Sequence, residues 1–137
     1  MAGMTPTDDL ADAAQQLIRQ RFGDEPWSGA AAVRLDDGTI LTSTGPDALN
    51  EAVSLCHETG ALCEAFKLGR AVTDSICVVQ PSPMSFRVLA PCGVCQERLF
   101  LYGPDVRVAV PTDDGGWTYV ALSDVQPHHW RKGLPPV

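Results

Sequence analysis

The sequence predicts an α/β fold in three layers, α/β/α, with a central mixed sheet. Three observations indicate this fold: an amphipathic first helix, several short runs rich in β-branched residues, and two further helical segments that separate those runs. The chain has 137 residues, of which 45% are hydrophobic and 20% are charged. That size and composition predict a single domain spanning residues 1–137.

The N-terminal part combines a helix with a β-hairpin. Apolar residues between Leu10 and Ile18 repeat at helical spacing, which predicts a helix from about Thr7 to Phe22 after a disordered start at 1–6. The predicted hairpin has the turn Asp37-Gly38 between two strands, Gly29–Leu35 and Thr39–Thr42.

The middle of the chain is predicted to contain a long, largely buried helix from Ala52 to Val72, because its apolar residues cover too many faces for a surface helix. Cys63 and Cys77 are expected to be core residues, since free cysteine is among the most buried residue types. A second inner helix is predicted at Cys92–Tyr102, and residues 127–137 are expected to form an extended tail. The remaining predicted strands are Ile76–Val79, Phe86–Leu89, Val106–Val110 and Trp117–Leu122.

Charge and cysteine content narrow the functional classes. A net charge of −7 disfavours a polynucleotide partner, because nucleic-acid binding draws its affinity from clustered Lys and Arg. No run approaches the length of a membrane span, and the N-terminus lacks the order of a secretory signal, so we expect a cytoplasmic protein with no membrane partner. Five cysteines, an odd number, favour metal binding or catalysis over disulfides in that compartment.

The residues that indicate chemistry lie at the starts of the two inner helices. Cys56 on one side and Cys92 and Cys95 on the other can bring three thiolates together. Helix N-termini stabilise thiolates, and a catalytic zinc site has three protein ligands with the fourth position left for water. Glu58, two residues after Cys56, would stand beside the metal without binding it and move protons as general base and acid. The expected cofactor is one Zn²⁺ per chain.

These motifs resemble those of the cytidine deaminase superfamily, in which a zinc ligand, any residue and Glu precede Pro-Cys-x-x-Cys. The segments that carry the resemblance are Ala30–Val33 with Asp37-Gly38, Cys56-His57-Glu58, Pro91-Cys92-Gly93-Val94-Cys95-Gln96-Glu97 and Leu122–Pro127. They are most similar to the small cytidine deaminases and blasticidin S deaminases. The resemblance implies a five-stranded central sheet and hydrolytic removal of ammonia at carbon 4 of a cytosine-type ring, with Glu58 moving the protons.

The resemblance also implies a substrate site. Trp27 takes the place of an aromatic residue over the substrate, the carbonyl of Ala90 faces the exocyclic amine, and backbone N–H groups near Cys56 and His57 reach the ring carbonyl. Ribose-binding relatives have Asn-x-Glu where this sequence has Gly45-Pro46-Asp47. Asp47 is therefore equally a substrate contact or a polar loop residue, and the side chain of His57 is expected to be a satisfied, partly buried group.

Two other features depart from the family or extend it. Relatives carry Arg directly after the last metal cysteine, where this sequence has Gln96, and Arg98 either compensates for that charge or is an ordinary exposed residue. The segment His128-His129-Trp130 is either a solvated tail or a cover over a neighbouring subunit's site. The resemblance implies a homotetramer or a homodimer that acts on a small nucleoside or nucleobase in pyrimidine salvage.

Several alternatives remain open from the sequence. The substrate is a cytosine nucleoside, a nucleoside antibiotic such as blasticidin S, or a free or modified nucleobase. In a second class, the chain is a non-catalytic domain in which a fourth protein ligand closes the zinc site. In a third, Cys92 and Cys95 form a redox dithiol. A His-Glu-x-x-His metalloprotease is excluded, because Ala61 stands where the second histidine is required.

Overall fold

The computed structural model describes residues 8–136, so the predicted disorder at 1–6 lies outside the described residues. It contains four α-helices and six strands, and three short 3-10 helices at Glu51–Val53, Phe100–Tyr102 and Trp130–Gly133. In chain order the main elements are α1 (Asp9–Phe22), β1 (Ser28–Leu35), β2 (Ile40–Ser43), α2 (Thr59–Leu68), β3 (Val72–Ser82), β4 (Ser85–Leu89), α3 (Gly93–Leu99), β5 (Arg107–Pro111), β6 (Trp117–Ala121) and α4 (Leu122–Val125).

Strand β3 is the centre of the mixed sheet. Along one edge it pairs antiparallel with β1, which in turn pairs antiparallel with β2. Its other partners are β5, parallel at Asp74 and Ser75, and β4, antiparallel from Cys77 to Ser82. The sheet therefore has six strands, one for each run predicted along the sequence and one more than the five-stranded sheet that the resemblance implied. Strand β3 is longer than the predicted 76–79 and pairs with both β4 and β5.

Alternate residues of the strands face two different helical layers. Helix α1 packs on one face through Leu10, Ala14 and Ile18, and its N-terminus is capped by Asp8, whose carboxylate accepts the Ala11 N–H at 2.8 Å. On the other face α2, α3 and α4 cover the sheet residues Val33, Leu35, Val72 and Val108. This arrangement confirms the predicted three-layer α/β/α class. No helix within residues 8–136 combines the length and apolarity needed to cross a bilayer.

Helix α2 is shorter than the predicted 52–72. The backbone before it bonds to a neighbouring loop: Leu55 N–H donates to the Pro46 carbonyl at 3.1 Å, and Ala48 N–H donates to the Ser54 hydroxyl at 2.9 Å. Gly69 ends the helix in a left-handed conformation. The prediction of a largely buried element was wrong as well, because only Ala61, Leu62 and Ala65 are buried in α2.

Two expectations about side-chain burial have different outcomes. Cys77 is buried in β3 as predicted, whereas Cys63 is exposed, so its assignment to the core was wrong. Cys63 lies on α2 between Leu62, which packs against the sheet, and Glu64, which faces solvent. A helix that packs on only one side leaves such a position exposed, which the prediction of burial on all faces did not allow.

The C-terminal segment folds back on α3 and is not extended throughout. The His129 ring stacks on Phe100 with centroids 4.3 Å apart, and its Nε2 lies 2.9 Å from Glu97 Oε1. Trp130 Nε1–H donates to the same carboxylate oxygen at 3.0 Å. A single carboxylate thus holds two consecutive tail side chains. His128 is exposed, whereas His129 and Trp130 bind α3 within this chain and form a clasp, so the segment is not simply a solvated tail. A cover over a neighbouring subunit's site stays a prediction.

Removal of that carboxylate is expected to loosen the tail. Replacing Glu97 by Ala deletes the acceptor of both tail donors, so we expect several-fold faster tryptic cleavage after Arg131 and Lys132, because protease sites open with local unfolding. The rate is measured by mass spectrometry of the native protein during limited digestion. The matched control is Glu64→Ala, an exposed carboxylate on α2. Equal cleavage rates in both variants would show that the clasp contributes nothing.

Candidate metal and substrate site

Three cysteine sulfurs meet between the N-terminal ends of α2 and α3. Cys56 lies just before α2, Cys92 is the N-cap of α3, and Cys95 is in the first turn of α3. Their sulfur atoms all lie within 4.8 Å of one another, and Cys56 Sγ is 3.3 Å from Cys92 Sγ. The structure therefore brings together the three predicted metal ligands from positions 36 residues apart in sequence.

The donor set fits a tetrahedral metal ion. Zinc–sulfur bonds of about 2.3 Å place sulfur atoms about 3.8 Å apart around a tetrahedron. The sulfur–sulfur distances here, 3.3 Å for Cys56 and Cys92 and within 4.8 Å for all three pairs, are compatible with that value.

Burial raises the pKa of Cys56 and of Cys95, and Cys92 and Glu58 raise both further. A hydrogen bond with Cys95 acts in the opposite direction on the pKa of Cys56. Burial also tends to raise the pKa of Cys92. Hydrogen bonds to Cys92, first among them the one from the Cys95 N–H, outweigh burial, so the pKa of Cys92 is lowered. Thiols this close together disfavour the thiolate form of one another, and a bound cation would offset that repulsion.

Glu58 is the buried carboxyl group beside the cluster. Its side chain is only 3% exposed, and it occupies the N-cap position of α2. Burial raises its pKa, while hydrogen bonds from its own N–H and from the Cys95 thiol, the charge of Arg98 and the Cys77 thiol all act in the opposite direction. A carboxyl group with a raised pKa, next to a metal site, is suited to accept and return a proton near neutral pH.

The predicted substrate residues divide into two groups. Trp27, Asp47 and His57 line one cavity of about 300 Å³, together with residues that include Arg21 and Glu25. Trp27 is largely exposed at this cavity and has a positive φ of 61°. Ala90 does not line the cavity; it is exposed at the end of β4, directly before the metal loop that begins at Pro91.

His57 is fixed by contacts that the sequence did not reveal. Its carbonyl accepts the Ser43 hydroxyl at 2.5 Å, and its Nδ1 accepts the Gly45 N–H at 3.1 Å. Ser43 and Thr44 were missed as supporting residues, because their only signal is their position at the end of a strand that returns beside α2. Cys77 was predicted as core, and its contact with Glu58 follows from its place on β3 under α2.

Gly45 cannot carry a side chain. A Cβ built on it would lie 2.0 Å from the Leu55 carbonyl oxygen and 2.7 Å from that of Cys56. These are backbone atoms, which cannot move aside cheaply. The departure from Asn-x-Glu at this position therefore has a steric reason, which is the close approach of the loop after β2 to the segment that carries Cys56.

The variant Gly45→Ala is expected to lower the free energy of unfolding by about 1–3 kcal/mol, the usual cost of overpacking. The matched control is Gly133→Ala, where a new Cβ meets no atom within 4 Å and the change should be near neutral. Both are measured by urea unfolding. A Gly45→Ala protein as stable as the control would contradict the steric argument.

Arg98 and Gln96 occupy defined positions near the cluster. Arg98 Nη1 donates to Thr59 Oγ1 at 2.8 Å and so joins α3 to the first residue of α2. Gln96 Nε2 donates to the Pro91 carbonyl at 2.8 Å and fastens the metal loop. Of the two sequence interpretations of Arg98, the structure thus favours a residue with a specific partner and with its charge directed toward Glu58.

An α/β/α sandwich with three converging thiols at two helix ends and one buried glutamate defines the zinc-dependent deaminase class. The crystal structure of the cytidine deaminase from Bacillus anthracis superimposes with a TM-score of 0.85 and 46% sequence identity, over 90% of this chain and 89% of that one. This chain belongs to the cytidine deaminase superfamily, as the motifs predicted.

Two further proteins are similar to this chain. The blasticidin-S deaminase of Bacillus cereus is 29% identical over 107 residues, which are 74% of this chain and 76% of the relative. The cytidine deaminase of Mycobacterium leprae has a TM-score of 0.71 at 19% identity, over 91% of this chain and all of the other, and this likeness concerns the fold alone. No family model matches the sequence.

Proposed function

We propose that this protein is a zinc-dependent hydrolytic deaminase that converts a cytosine-type amine to the uracil form and releases ammonia. The observation that carries the proposal is the cluster of three thiols within 4.8 Å of one another beside the buried Glu58. The names of the relatives, a cytidine deaminase and a blasticidin-S deaminase, support a cytosine ring as the group acted upon.

Cys56, Cys92 and Cys95 would hold the zinc ion, and no fourth ligand side chain joins them among residues 8–136. Zinc in such a three-ligand site lowers the pKa of water to about 7 and so supplies a nucleophile at neutral pH. Glu58 takes a proton from the attacking water and delivers it to the departing amine, so that water and the amine yield a carbonyl group and ammonia. Burial of Glu58 keeps bulk water from competing for that proton.

The substrate side of the site is proposed to be the cavity that contains Trp27, Asp47 and His57. Trp27 offers an exposed ring face against which a planar base can stack. Ala90 would present its carbonyl to the amine from the edge of the metal loop. The proposed substrate is a small nucleoside or nucleobase, and the proposed role is pyrimidine salvage. The proposed location is the cytoplasm, where reducing conditions keep the three thiols available to bind metal.

The test is turnover by the zinc-loaded protein with cytidine, deoxycytidine, cytosine and blasticidin S, followed by ammonia release and by loss of cytosine absorbance. Turnover of at least one of these compounds is expected. If none reacts with protein that holds one zinc per chain, the proposal is wrong. Replacement by cobalt separates an open site from a closed structural one, because only an open site changes its spectrum when a substrate analogue is added.

We also propose a homo-oligomer, either the homotetramer or a homodimer. The supporting observation is an apolar surface on α2 and the following 3-10 helix, where Phe66 is 71% and Leu101 is 65% exposed. Two cavities share these two side chains and Tyr102. Contiguous exposed apolar surface of this kind marks interaction sites. Light scattering after gel filtration gives the mass, and a strictly monomeric protein at micromolar concentration would contradict the proposal.

A further inference from the structure

The loop between α1 and β1, residues 23–27, forms part of the wall of the cavity proposed to bind the substrate. Glu25 and Trp27 of this loop, and Ser28 at the start of β1, line the cavity. Trp27 has a φ of 61°, a left-handed backbone conformation that is unfavourable for a bulky residue. It is also 71% exposed, so packing contributes little to its placement. A residue in such a conformation persists only when the surrounding structure holds it there.

Gln80 is the buried residue that holds this loop. It lies in β3, is 0% exposed, and is not among the residues that line the cavity. Its Nε2 donates to the Gly23 carbonyl at 2.9 Å and to the Ser28 hydroxyl at 3.3 Å. The Ser28 hydroxyl in turn donates to the Glu25 carbonyl at 2.7 Å. One amide group therefore fixes both ends of the loop directly and its middle through Ser28.

Gln80 also accepts hydrogen bonds from two residues with unfavourable backbone conformations. Among residues 8–136, the non-glycine residues with positive φ are Trp27 and Met84, at 61° and 58°. Trp27 N–H donates to the Gln80 carbonyl at 2.7 Å, and Met84 N–H donates to Gln80 Oε1 at 3.3 Å. Each polar atom of the Gln80 side chain thus has a partner, as is usual for a buried amide.

Met84 connects this network to the metal loop. It lies in the turn between β3 and β4, and β4 leads into the loop that begins at Pro91 and carries Cys92. Gln80 therefore bonds both to the loop that carries Trp27 and to the turn that starts the strand before a metal ligand. Loss of these bonds would change the position of Trp27 without removing any atom from the cavity wall or from the thiol cluster.

We propose that Gln80 is a positioning residue, which fixes Trp27 at the cavity before the substrate binds. The inference rests on the proposed function, in which this cavity receives a planar base. It goes beyond that function by assigning a role to a residue outside both the cavity lining and the thiol cluster. A preformed wall favours binding, because a loop that is ordered only when the ligand arrives lowers the affinity.

The test variant is Gln80→Met, which has a side chain of similar length but no amide group. We expect kcat/KM for cytidine to fall about tenfold, mostly through KM, because contact with the Trp27 ring is present in the bound substrate as well as in the transition state. Zinc content should stay near one per chain. Hydrogen–deuterium exchange, followed by mass spectrometry, should be faster at residues 23–28 and 83–85 than in the unmodified protein.

The matched control is Val106→Ala, which removes buried apolar contacts directly before β5 and none of these hydrogen bonds. Urea unfolding gives the stability of both variants, so that a general loss of stability is separated from a local one. The control should leave KM and exchange in the loop unchanged. If Gln80→Met does not fold, Ser28→Ala removes one acceptor of the amide and should speed exchange at residues 23–27 by a smaller amount.

Three results would overturn the inference. The first is exchange at residues 23–28 that is as slow in Gln80→Met as in the unmodified protein. The second is an equal rise in KM in Val106→Ala at comparable stability, and the third is a fall in kcat with an unchanged KM. If the unmodified, zinc-loaded protein turns over no cytosine compound, the proposed function fails separately. Exchange then still decides whether Gln80 holds the loop: faster exchange in the variant supports that contact, and unchanged exchange refutes it.

Discussion

The variant Glu58→Gln is expected to lower kcat on cytidine by about 10²–10⁴-fold, the usual contribution of a positioned general acid and base. Glutamine has nearly the same shape and fits the buried N-cap of α2, but it can neither accept a proton from water nor return one to the amine. Zinc content should stay near one per chain. The rate is followed by ammonia release, and the metal by elemental analysis.

The control for this variant is Glu64→Gln, which removes an exposed carboxylate from the same helix. Its rate should match that of the unmodified protein. If Glu58→Gln keeps more than a tenth of the activity with its zinc in place, another group moves the protons and the proposed mechanism is incorrect.

The variant Cys95→Ser is expected to abolish both metal retention and turnover. Cys95 is the buried member of the cluster, and serine is a poor ligand for zinc at neutral pH. Structural zinc sites with four protein ligands contribute about 10–16 kcal/mol, or several kcal/mol for each ligand, so the loss of one of three ligands is expected to lower the affinity by orders of magnitude. Zinc retained after dialysis against a chelator is measured by mass spectrometry, and the melting temperature should fall with it.

Cys63→Ser is the matched control, because Cys63 is an exposed cysteine outside the cluster. It should keep its zinc, its melting temperature and its activity. Stoichiometric zinc in Cys95→Ser would show that the metal is bound elsewhere, and equal losses in the two variants would point to a general effect of cysteine replacement.

The site was easier to predict from the sequence than the fold around it. Cys56, Glu58, Cys92 and Cys95 follow from short-range spacing and from the preference of thiolates for helix N-termini, and the structure brings them together. Both properties are local, so the sequence contains them. The layers were predictable for a similar reason, since short runs rich in β-branched residues and the helical periodicity in α1 are local patterns.

The length of the central helix could not be predicted locally. Residues 52–58 have a composition that suits a helix, yet Leu55 donates its N–H to Pro46, and Ser54 accepts that of Ala48. These partners belong to the loop after β2, and apolar content alone does not show that a distant loop competes for backbone hydrogen bonds. Val53, Leu55 and Phe66 counted as core by composition, but they are exposed.

The clasp of the C-terminal segment on α3 was hidden for the same reason. Glu97 and His129 are 32 residues apart, and a Pro-rich stretch with two histidines predicts extended chain as readily as a folded end. The contact depends on the tertiary structure, in which the Glu97 side of α3 faces the residues after α4. Sequence patterns show periodicity within one element but do not predict contacts between distant segments.

The three tryptophans occupy three different environments, so intrinsic tryptophan fluorescence can report on three different parts of the protein. Trp117 is buried within the core under α1, Trp130 in the C-terminal segment donates to Glu97, and Trp27 lines the cavity proposed to bind the substrate. Replacing two of them by phenylalanine leaves a single emitter. Its fluorescence would then follow global unfolding, release of the tail or arrival of a ligand separately, without any attached dye.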